Sequence, residues 1–579
     1  MDRYRILLLT MSAWYAPVPM LLALLAALHV GSVPADAQGA ATAYEQPKVT
    51  PFGLDGDMRS LPRVPLDGPA PLPPYRPLLT PPPSVKLGAP AEEPEIAAPL
   101  APMPSAIQNF AGLNFADTCG GVQCGAGWPP DINGDVGLNH YIEAVNNAYA
   151  IYSKTGTLLA SFTENQLWNT GGANPCNGNS RGDPIVLYDP LADRWILTHF
   201  AFGFSGPNPA SPFYQCIAAS KSSDPVSGGW WLYPLRMDPG GAGMPPTGAL
   251  NDYGKFGIWP DCLYMAANEF QYPVGNFIGT AFASFSRSDL YSGAALTWSL
   301  GIIADPFTMI PSNLSGKSSA APGTPNYFVS ESATVFDFEV RKFTAGPNCG
   351  AGGTLSTATH VSQTSYTFPA VNIPQPGTTN TLDSLSDRLM QKVQYRKVDA
   401  AESLWVVHSV QTSTTVKPQW AQIDVTGGVI STTPVQQQIY APDTTLHRWM
   451  GSLAVDSQGN MALGYSTSNG TAPNFPSIAY SGRLASDPLN TLPQSEVQLV
   501  AGAASQTNNC GPGPCNRWGD YTAMSIDPAD DCTFWYTNEY YSSTANGASG
   551  NWQTRIGSFK FPSCTASLAA QRRGQLVSD

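Results

Sequence analysis

One strand–turn–strand pattern is clearest in Tyr521-Thr-Ala-Met-Ser-Ile-Asp527-Pro-Ala-Asp-Asp531-Cys-Thr-Phe-Trp-Tyr-Thr-Asn538. An apolar strand ends in aspartate, a short turn follows and an aromatic-rich strand runs back, as in an antiparallel hairpin. A third apolar segment, Gln553 to Phe559, comes later. The stretch therefore predicts an antiparallel meander in which Asp527 caps its own turn through backbone N–H groups.

The same unit recurs along the chain. Clear copies begin near Asp183, Asp252 and Arg448, and fainter copies begin near residues 131, 325 and 387. Repeated meanders at a period above ~40 residues are typical of propeller blades, with the extra length in loops. We therefore predict an all-β fold with a single β-propeller of seven blades. Six blades are the alternative, because the unit near residue 325 is faint, and two stacked β-sandwiches would not by themselves explain the repeat.

The composition agrees with a fold of short strands and excludes one class of partner. Glycine and proline each occur 54 times in the 579 residues, which favours strands joined by turns over long helices. Only 12% of residues are charged and the formal net charge is -13, so the chain lacks the basic surface that binds phosphates. Nucleic acid is therefore not an expected partner.

The N-terminus indicates an exported protein. Basic residues precede apolar runs, and Ala35-Asp-Ala37 is a small-x-small cleavage pattern, so residues 1–37 are predicted to be a signal peptide, with a membrane anchor as the alternative. Residues 38–109 are predicted to be a disordered proline-rich linker, 110–564 the propeller and 565–579 a flexible tail. The mature protein is expected to be secreted, extracellular or periplasmic, monomeric and not membrane-spanning.

The cysteines fit the same compartment. All ten lie beyond the leader, and an even number in an exported chain predicts up to five disulfides. A zinc site is the weaker alternative, because CxxC pairs with histidines near them do not occur. The predicted pairs are Cys119 with Cys124, Cys510 with Cys515, and Cys532 with Cys564.

Charged residues collect at the predicted start of successive blades. Residues just before each innermost strand form a ring around one mouth of the propeller channel, where paired carboxylates supply an acid and a base or nucleophile. Arginines there bind an anionic group bidentately. The predicted catalytic carboxylates are Asp135, Asp183, Asp252 and Asp520. The predicted substrate-binding residues are Arg181, Arg388, Arg448 and Arg517, with Trp449 and Trp518 stacking on a sugar ring.

Structural interpretations stand beside these functional ones. Aspartate and arginine at successive positions could instead pair and tie neighbouring blades together, and the tryptophans could pack against the next blade. Asp131, Asn133 and Asp135 resemble the start of a calcium loop, but Val136 stands where an EF-hand has glycine. The predicted chemistry requires no cofactor, and a structural calcium ion at these three residues is the one candidate.

Two segments carry a resemblance to known proteins. Pro129 to Tyr141 and Arg517 to Glu539 resemble segments of large exported bacterial proteins whose functions are mostly unassigned. More distantly, the chain is similar to sialidase-like propellers, which implies an arginine triad on a carboxylate, an acidic acid/base and a tyrosine nucleophile. The sialidase Asp-box is only partly matched by Ser525-Ile-Asp527-Pro-Ala-Asp530. Arg181-Gly-Asp183-Pro184 resembles the Arg-Asp-Pro start of five-bladed fructan and arabinan hydrolases, with Gly182 inserted.

Two functions of different class follow. The first is an exported glycoside hydrolase that holds an acidic sugar with the arginines and cleaves it with the carboxylates. The second is a non-catalytic surface propeller that binds a glycan or a protein, with the same charges serving only structure. Motifs of serine hydrolases, zinc proteases and nucleotide enzymes do not occur.

Overall fold

The computed structural model describes residues 39–61, 79–80, 86, 99–119, 129–170, 172–507, 516–542 and 552–565. Strands dominate this part of the chain. It contains short α-helices α1 (Glu164–Asn169) and α2 (Arg287–Ser292), and 3-10 turns at Met58–Ser60, Phe115–Cys119, Pro347–Cys349 and Thr426–Gly428. No helix of the described residues is long and apolar enough to cross a membrane.

The strands fall into an N-terminal set and successive antiparallel meanders. The N-terminal strands are β1 (Ala41–Glu45), β2 (Phe52–Leu54), β3 (Ala101–Pro102) and β4 (Gln108–Asn114). Meander 1 is β5 (Asn133–Val136), β6 (His140–Val145), β7 (Ala148–Ser153) and β8 (Leu158–Thr163). Meander 2 is β9 (Ile185–Asp189), β10 (Arg194–Ser205), β11 (Asn208–Ser220) and β12 (Trp230–Arg236). Meander 3 is β13 (Ala249–Ile258), β14 (Cys262–Gln271), β15 (Asn276–Ser286) and β16 (Trp298–Ile303).

The later meanders follow the same order. Meander 4 is β17 (Ile310–Leu314), β18 (Asn326–Glu331), β19 (Asp337–Thr344), β20 (Gly353–Leu355) and β21 (Thr359–Ser362). Meander 5 is β22 (Val393–Val398), β23 (Ala401–Thr412), β24 (Thr415–Asp424) and β25 (Gln436–Ile439). Meander 6 is β26 (His447–Val455), β27 (Met461–Ser468), β28 (Ser477–Arg483) and β29 (Gln494–Val500). Meander 7 is β30 (Ala523–Ile526), β31 (Phe534–Tyr540) and β32 (Gln553–Phe559).

The first strands of the meanders form a closed ring. Each first strand contacts the first strand of the next meander, in the order β5, β9, β13, β17, β22, β26 and β30, and β30 contacts β5 again. They are buried along most of their length because neighbouring meanders cover both faces. This is the arrangement of an all-β propeller, as the sequence predicts. The number of blades stays a prediction, because β1 and the parallel β17–β22 pair merge meanders 3, 4 and 5 into one 14-stranded sheet.

The N-terminal strands correct the predicted linker. β1 pairs with β16 and β20, β2 with β12, β3 with β29 and β4 with β32, so the region 38–109 is not disordered throughout. The outer strands of the meanders present unpaired N–H and C=O groups, and these short segments satisfy them. One compact unit accordingly extends from Gly39. Residues 1–38, including the predicted signal peptide, and most of the predicted tail lie outside the described residues.

Three disulfides connect elements of the described chain, and Cys262–Cys349 joins meander 3 to meander 4. Cys176 bonds Cys216, Cys262 bonds Cys349 and Cys532 bonds Cys564, and the last of these confirms a predicted pair. The Cys532–Cys564 bond ties the chain just before β31 to the segment after β32. The predicted pairs Cys119–Cys124 and Cys510–Cys515 lie outside the residues whose side chains are described.

Candidate functional site

The backbone is in an unusual conformation where the chain enters the ring of first strands. Positive φ angles occur at Asp131 (44°), Asp183 (54°), Tyr253 (57°), Thr308 (55°), Leu385 (48°) and Met450 (52°). Aspartate tolerates this left-handed region better than most residues, whereas a β-branched threonine rarely adopts it. Such outliers persist only where the surroundings enforce them, and they often mark functional sites.

A lysine lies beside one of these positions, Tyr253. Lys255 is fully buried, and its Nζ lies 3.4 Å from the ring centroid of Tyr253 and 3.8 Å from that of Tyr521. The two tyrosines come from meander 3 and from the chain leading into meander 7. Two aromatic rings stabilise an ammonium group that burial would otherwise destabilise.

Three aspartate carboxylates from different meanders influence the pKa of Lys255 through their charge. Asp131 and Asp520 are buried, and Asp183 is half-buried. Backbone N–H groups hold two of them: the N–H of Asp520 donates to Oδ1 of Asp131 at 2.7 Å, and the N–H of Tyr253 donates to Oδ2 of Asp183 at 3.1 Å. We call Asp131, Asp183, Tyr253, Lys255, Asp520 and Tyr521 the mouth cluster.

Burial and mutual charge shift the pKa values in the mouth cluster. Burial lowers the pKa of Lys255 to about 7, while the charges of Asp183, Asp520 and Asp131 oppose the decrease. Burial, followed by the charges of Asp520 and Asp183, raises the pKa of Asp131 well above its ordinary value. The mouth cluster therefore contains one carboxyl group, that of Asp131, which stays protonated at higher pH than an ordinary aspartate. It also contains a lysine whose pKa lies near neutrality. Groups with pKa values moved toward the working pH are suited to acid–base chemistry.

Two of the predicted arginines border the mouth cluster. Arg517 forms an ion pair with Asp520. Arg388 lies with its guanidinium carbon 5.0 Å from the Tyr253 ring centroid, and its Nε donates to Asp387 at 2.8 Å. Its Nη1 is buried and has no hydrogen-bond partner among the described residues. Arg388 thus has a donor still to offer to an anionic group, and so does Arg517, whose buried Nε also lacks a partner among the described residues.

Tyr253 connects positions far apart in sequence. Its hydroxyl donates to the carbonyl oxygen of Leu389 at 3.1 Å and lies 3.4 Å from that of Asp520. These contacts join meander 3 to the chain before meanders 5 and 7. The side chain therefore crosses the region where the first strands converge.

The other predicted catalytic carboxylates lie elsewhere. Asp135 accepts from the backbone N–H of Tyr188 at 3.0 Å, and its Oδ2 lies 3.6 Å from Nζ of Lys392. Asp252 lies opposite Asn268 of β14, and its charge, after burial and Asp238, contributes to the raised pKa of buried Glu269. Because β13 contains a bulge between Asp252 and Lys255, it is Lys255 that occupies the cluster.

Two predicted anion-binding arginines are also committed to other contacts. Arg448 is buried and bonds to Glu496 at 2.8 Å and to Asp443 at 2.7 Å, so its charge is already neutralised. Arg181 lies over the Phe204 ring, 4.9 Å from its centroid, and donates to the carbonyl oxygen of Ser180 at 2.9 Å. The structure therefore does not bring these arginines together with Arg388 and Arg517 as one anion site.

The prediction that Trp449 and Trp518 stack on a sugar ring is wrong. Trp449 is 0% exposed and Trp518 is 1% exposed. Their ring centroids lie 5.8 Å apart, and the indole N–H of Trp518 donates to Oγ of Ser466 at 3.0 Å. A fully covered ring offers no face to a sugar, so both tryptophans serve the packing between meanders.

The predicted calcium ligands are occupied by hydrogen bonds. Asp131 accepts from Nδ2 of Asn146 at 2.7 Å as well as from the N–H of Asp520, and Asn133 accepts from the N–H of Val186 at 2.8 Å. Asp135 serves Tyr188 in the same way. All of these bonds except the one from Asn146 join meander 1 to meander 2 or meander 7, and a calcium ion at Asp131, Asn133 and Asp135 would have to displace them. The described residues contain no group of three or more His, Cys, Asp or Glu side chains arranged for a metal.

Sequence reasoning missed Lys255, Tyr253 and Tyr521. Lys255 begins an apolar run that is typical of an ordinary strand, and both tyrosines are of a type that commonly packs in cores. The Tyr-Gly-Lys sequence at 253–255 contained one usable signal, because a glycine beside a charged residue within a strand often marks a bulge.

Comparison with known proteins finds only remote similarities. No family model and no curated protein matches the chain. Among solved structures, a protein of unknown function from Dyadobacter fermentans has a TM-score of 0.32 at 10% identity, over 65% of this chain and 94% of that one. The Trypanosoma rangeli sialidase in complex with the inhibitor DANA has a TM-score of 0.30 at 8% identity, over 74% and 58%. The GH43 endo-arabinanase from Bacillus licheniformis has a TM-score of 0.25 at 10% identity, over 52% and 94%. A sialidase and an arabinanase, the two classes named from the sequence, are thus among these structures, and at such values the likenesses carry no argument about activity.

Proposed function

We propose that this chain is an exported, glycan-active propeller whose mouth cluster hydrolyses a glycosidic bond. The observation that carries the proposal is the convergence of Asp131, Asp183 and Asp520 on Lys255, with the pKa of Asp131 raised and that of Lys255 lowered to about 7. Glycoside hydrolysis needs one carboxyl group that is protonated and another that is ionised. The disulfides of the described chain support an oxidising compartment.

Each carboxyl group has a distinct role in this proposal. Asp131, protonated because of burial and neighbouring charge, donates its proton to the glycosidic oxygen that leaves. Asp183, half-buried and so within reach of solvent, takes a proton from the water that attacks the anomeric carbon. Asp520 stays paired with Arg517.

Arg388 is the residue that indicates a negatively charged sugar in this proposal. Its Nη1 is buried without a hydrogen-bond partner among the described residues, and a guanidinium group bonds well to a carboxylate. An acidic sugar is therefore the proposed substrate. Its acidic group would bond to Nη1 of Arg388, while Nε and Nη2 of the same guanidinium stay on Asp387.

Glycan binding without turnover is the second candidate, and a specific observation favours it. The carboxylates of the mouth cluster also hold the meanders together, since Asp131 and Asp183 accept N–H groups from the chain of other meanders. If this is their whole role, the protein retains a glycan but releases no product.

The two candidates are separated by Asp183→Asn and Asp131→Asn, assayed for both product release and glycan retention on a panel of neutral and acidic glycans. Asparagine tolerates positive φ, so either substitution keeps the backbone and removes the acid–base capacity. Asp193→Asn is the matched control, because Asp193 also has a positive φ (51°) but accepts from the Tyr188 hydroxyl in a turn.

We expect Asp183→Asn and Asp131→Asn each to reduce release by roughly 100-fold or more while glycan retention stays within about twofold. The Asp193→Asn variant should behave like the wild type. A wild-type protein that retains a glycan and releases nothing refutes the hydrolase and supports binding. A protein that neither retains nor releases any member of the panel refutes both.

A further inference from the structure

A second charged site lies on meanders 4 and 5, apart from the mouth cluster. The ammonium group of Lys86 lies among three aromatic rings, with Nζ 4.8 Å from the centroid of Tyr366 and 5.7 Å from those of Phe336 and Phe368. All three distances are within the range of cation–π attraction. Tyr366 and Phe336 also pack against each other, with centroids 4.9 Å apart.

The acidic residue Glu331 completes the surroundings of the Lys86 ammonium group. Oε2 of Glu331, at the end of β18, accepts from Nζ of Lys86 at 2.8 Å. The hydroxyl of Tyr366 contacts the same Nζ and donates to Oε2 of Glu331 at 2.5 Å. The ammonium group therefore has both charge neutralisation and directed oxygen acceptors. We call Glu331, Phe336, Tyr366 and Phe368 the ammonium cage.

The ammonium cage contains a buried negative charge, the carboxylate of Glu331, which a cation stabilises. The side chain of Glu331 is 8% exposed and that of Lys86 is 4% exposed. Burial alone would raise the pKa of Glu331, but His408 and Lys86 outweigh it and hold that pKa well below its ordinary value. Nδ1 of His408 lies 2.6 Å from Oε1 and fixes the carboxylate from the side of β23. An ionised carboxylate kept from water is costly unless a cation faces it.

We propose that the ammonium cage is a binding site for a primary alkylammonium group, which Lys86 fills from within the same chain. The three aromatic rings and Glu331 attract any cation, and the two oxygen acceptors select one that can donate hydrogen bonds. A lysine side chain or another primary amine meets both requirements. A quaternary ammonium group satisfies the rings but has no N–H for Glu331 and Tyr366.

The test removes the internal ligand and offers a small replacement. Lys86→Ala is titrated with n-butylammonium at constant ionic strength, and binding is read as an increase in Tm and as heat in calorimetry. The same titration uses n-butanol, which has no charge, and tetramethylammonium, which has no N–H. Lys221→Ala is the matched control, because Lys221 also lies over an aromatic ring, Trp231 at 3.8 Å, but pairs with an aspartate that is 89% exposed.

We expect n-butylammonium to bind Lys86→Ala at least tenfold more tightly than it binds the wild type or Lys221→Ala, and to bind more tightly than tetramethylammonium or n-butanol. Adding Glu331→Gln to Lys86→Ala should abolish the binding. Equal responses to n-butylammonium and n-butanol, or binding that survives Glu331→Gln, would overturn the proposal. Lys86→Met replaces Lys86→Ala if the alanine variant loses its native circular dichroism, because methionine keeps an apolar side chain in the cage. The proposal then requires the Tm of Lys86→Met to lie below that of the wild type.

Discussion

Glu143 shows how one buried carboxyl group links the two ends of the ring. It lies in meander 1, where the hydroxyl of Thr537 donates to its Oε1 at 2.6 Å and the N–H of Leu113 donates to its Oε2 at 2.7 Å. Burial is the main cause that raises its pKa from 4.5 to about 7, and these hydrogen bonds limit the increase. The folded protein therefore prefers the protonated carboxyl group.

This shift predicts a pH dependence of stability that belongs to one residue. Because the folded-state pKa exceeds the unfolded value, the contribution of Glu143 is fully present below pH 4.5 and is lost as pH rises through about 7. We expect Glu143→Gln to remove this component, which amounts to roughly 3 kcal/mol at most. Urea unfolding of both proteins from pH 4 to 8 measures the difference in the free energy of unfolding.

The control is Glu45→Gln at an exposed position of β1, which leaves Glu143 in place and should therefore keep the pH-dependent component that Glu143→Gln removes. Should Glu143→Gln and the wild type follow parallel curves from pH 4 to 8, the carboxyl group is already ionised in the folded state and the prediction is wrong.

For single residues, the sequence predicts the structural role where that role depends on residues close by in the chain. Asp189, Asp456 and Asp527 each accept from a backbone N–H two residues later, as expected of turn aspartates. Lys255 could not be predicted in this way. A bulge decides that it, and not Asp252, faces the mouth cluster, and a one-residue shift in a strand exchanges its two faces.

Among the elements, β1 departs furthest from what composition suggests. It lies between two strands, with Tyr44 opposite Leu300 of β16 and Ala43 opposite Gly353 of β20. Ala43 is fully buried, although the surrounding region was predicted to be a linker. Pairing partners that lie hundreds of residues away leave no local signal, because neither the turn nor the periodicity of β1 specifies them.

Ala43→Pro tests whether β1 is part of the folded unit. Proline removes a ladder N–H and fixes φ, so we expect the free energy of unfolding to fall by about 3 kcal/mol or more, measured by chemical denaturation. Ala40→Pro, one residue before the strand and exposed, should have little effect. Equal stability of Ala43→Pro and the wild type would show that residues 41–45 behave as the predicted disordered linker.

Across the whole molecule, the hydroxyl of Tyr253 bonds to the carbonyl of Leu389 and approaches that of Asp520. Tyr253→Phe keeps the ring over Lys255 but leaves a buried carbonyl without its donor. We expect a loss of about 1–3 kcal/mol in the free energy of unfolding, measured from the denaturation midpoint and slope.

Tyr521→Phe is the matched control for this experiment. Its ring centroid lies 3.8 Å from Nζ of Lys255, and its hydroxyl has no hydrogen-bond partner among the described residues. Removing that hydroxyl should change stability by less than about 0.5 kcal/mol. Equal losses in the two variants would contradict a specific role for the Tyr253 hydroxyl in joining the meanders.

The propeller itself was predictable because each meander is specified locally, by a strand, a turn aspartate and a returning aromatic strand. The mouth cluster was predictable only in part. Asp183, Asp520, Arg388 and Arg517 lie at the predicted starts of meanders, but which of them pair with each other depends on the closed ring. Arg448 illustrates the limit, since its partner Glu496 lies on β29 and no spacing rule connects the two.

The N-terminal strands also determine when this protein can finish folding. The Thr554 hydroxyl donates to the carbonyl of Leu113 across 441 residues, and β4 completes the sheet of β32. During synthesis, β4 therefore leaves the ribosome long before its partner strand exists. A nascent chain that has not reached Gln553 carries strands with unpaired edges, which favour association between chains. The last sheet can therefore close only after Gln553 to Phe559 have been synthesised.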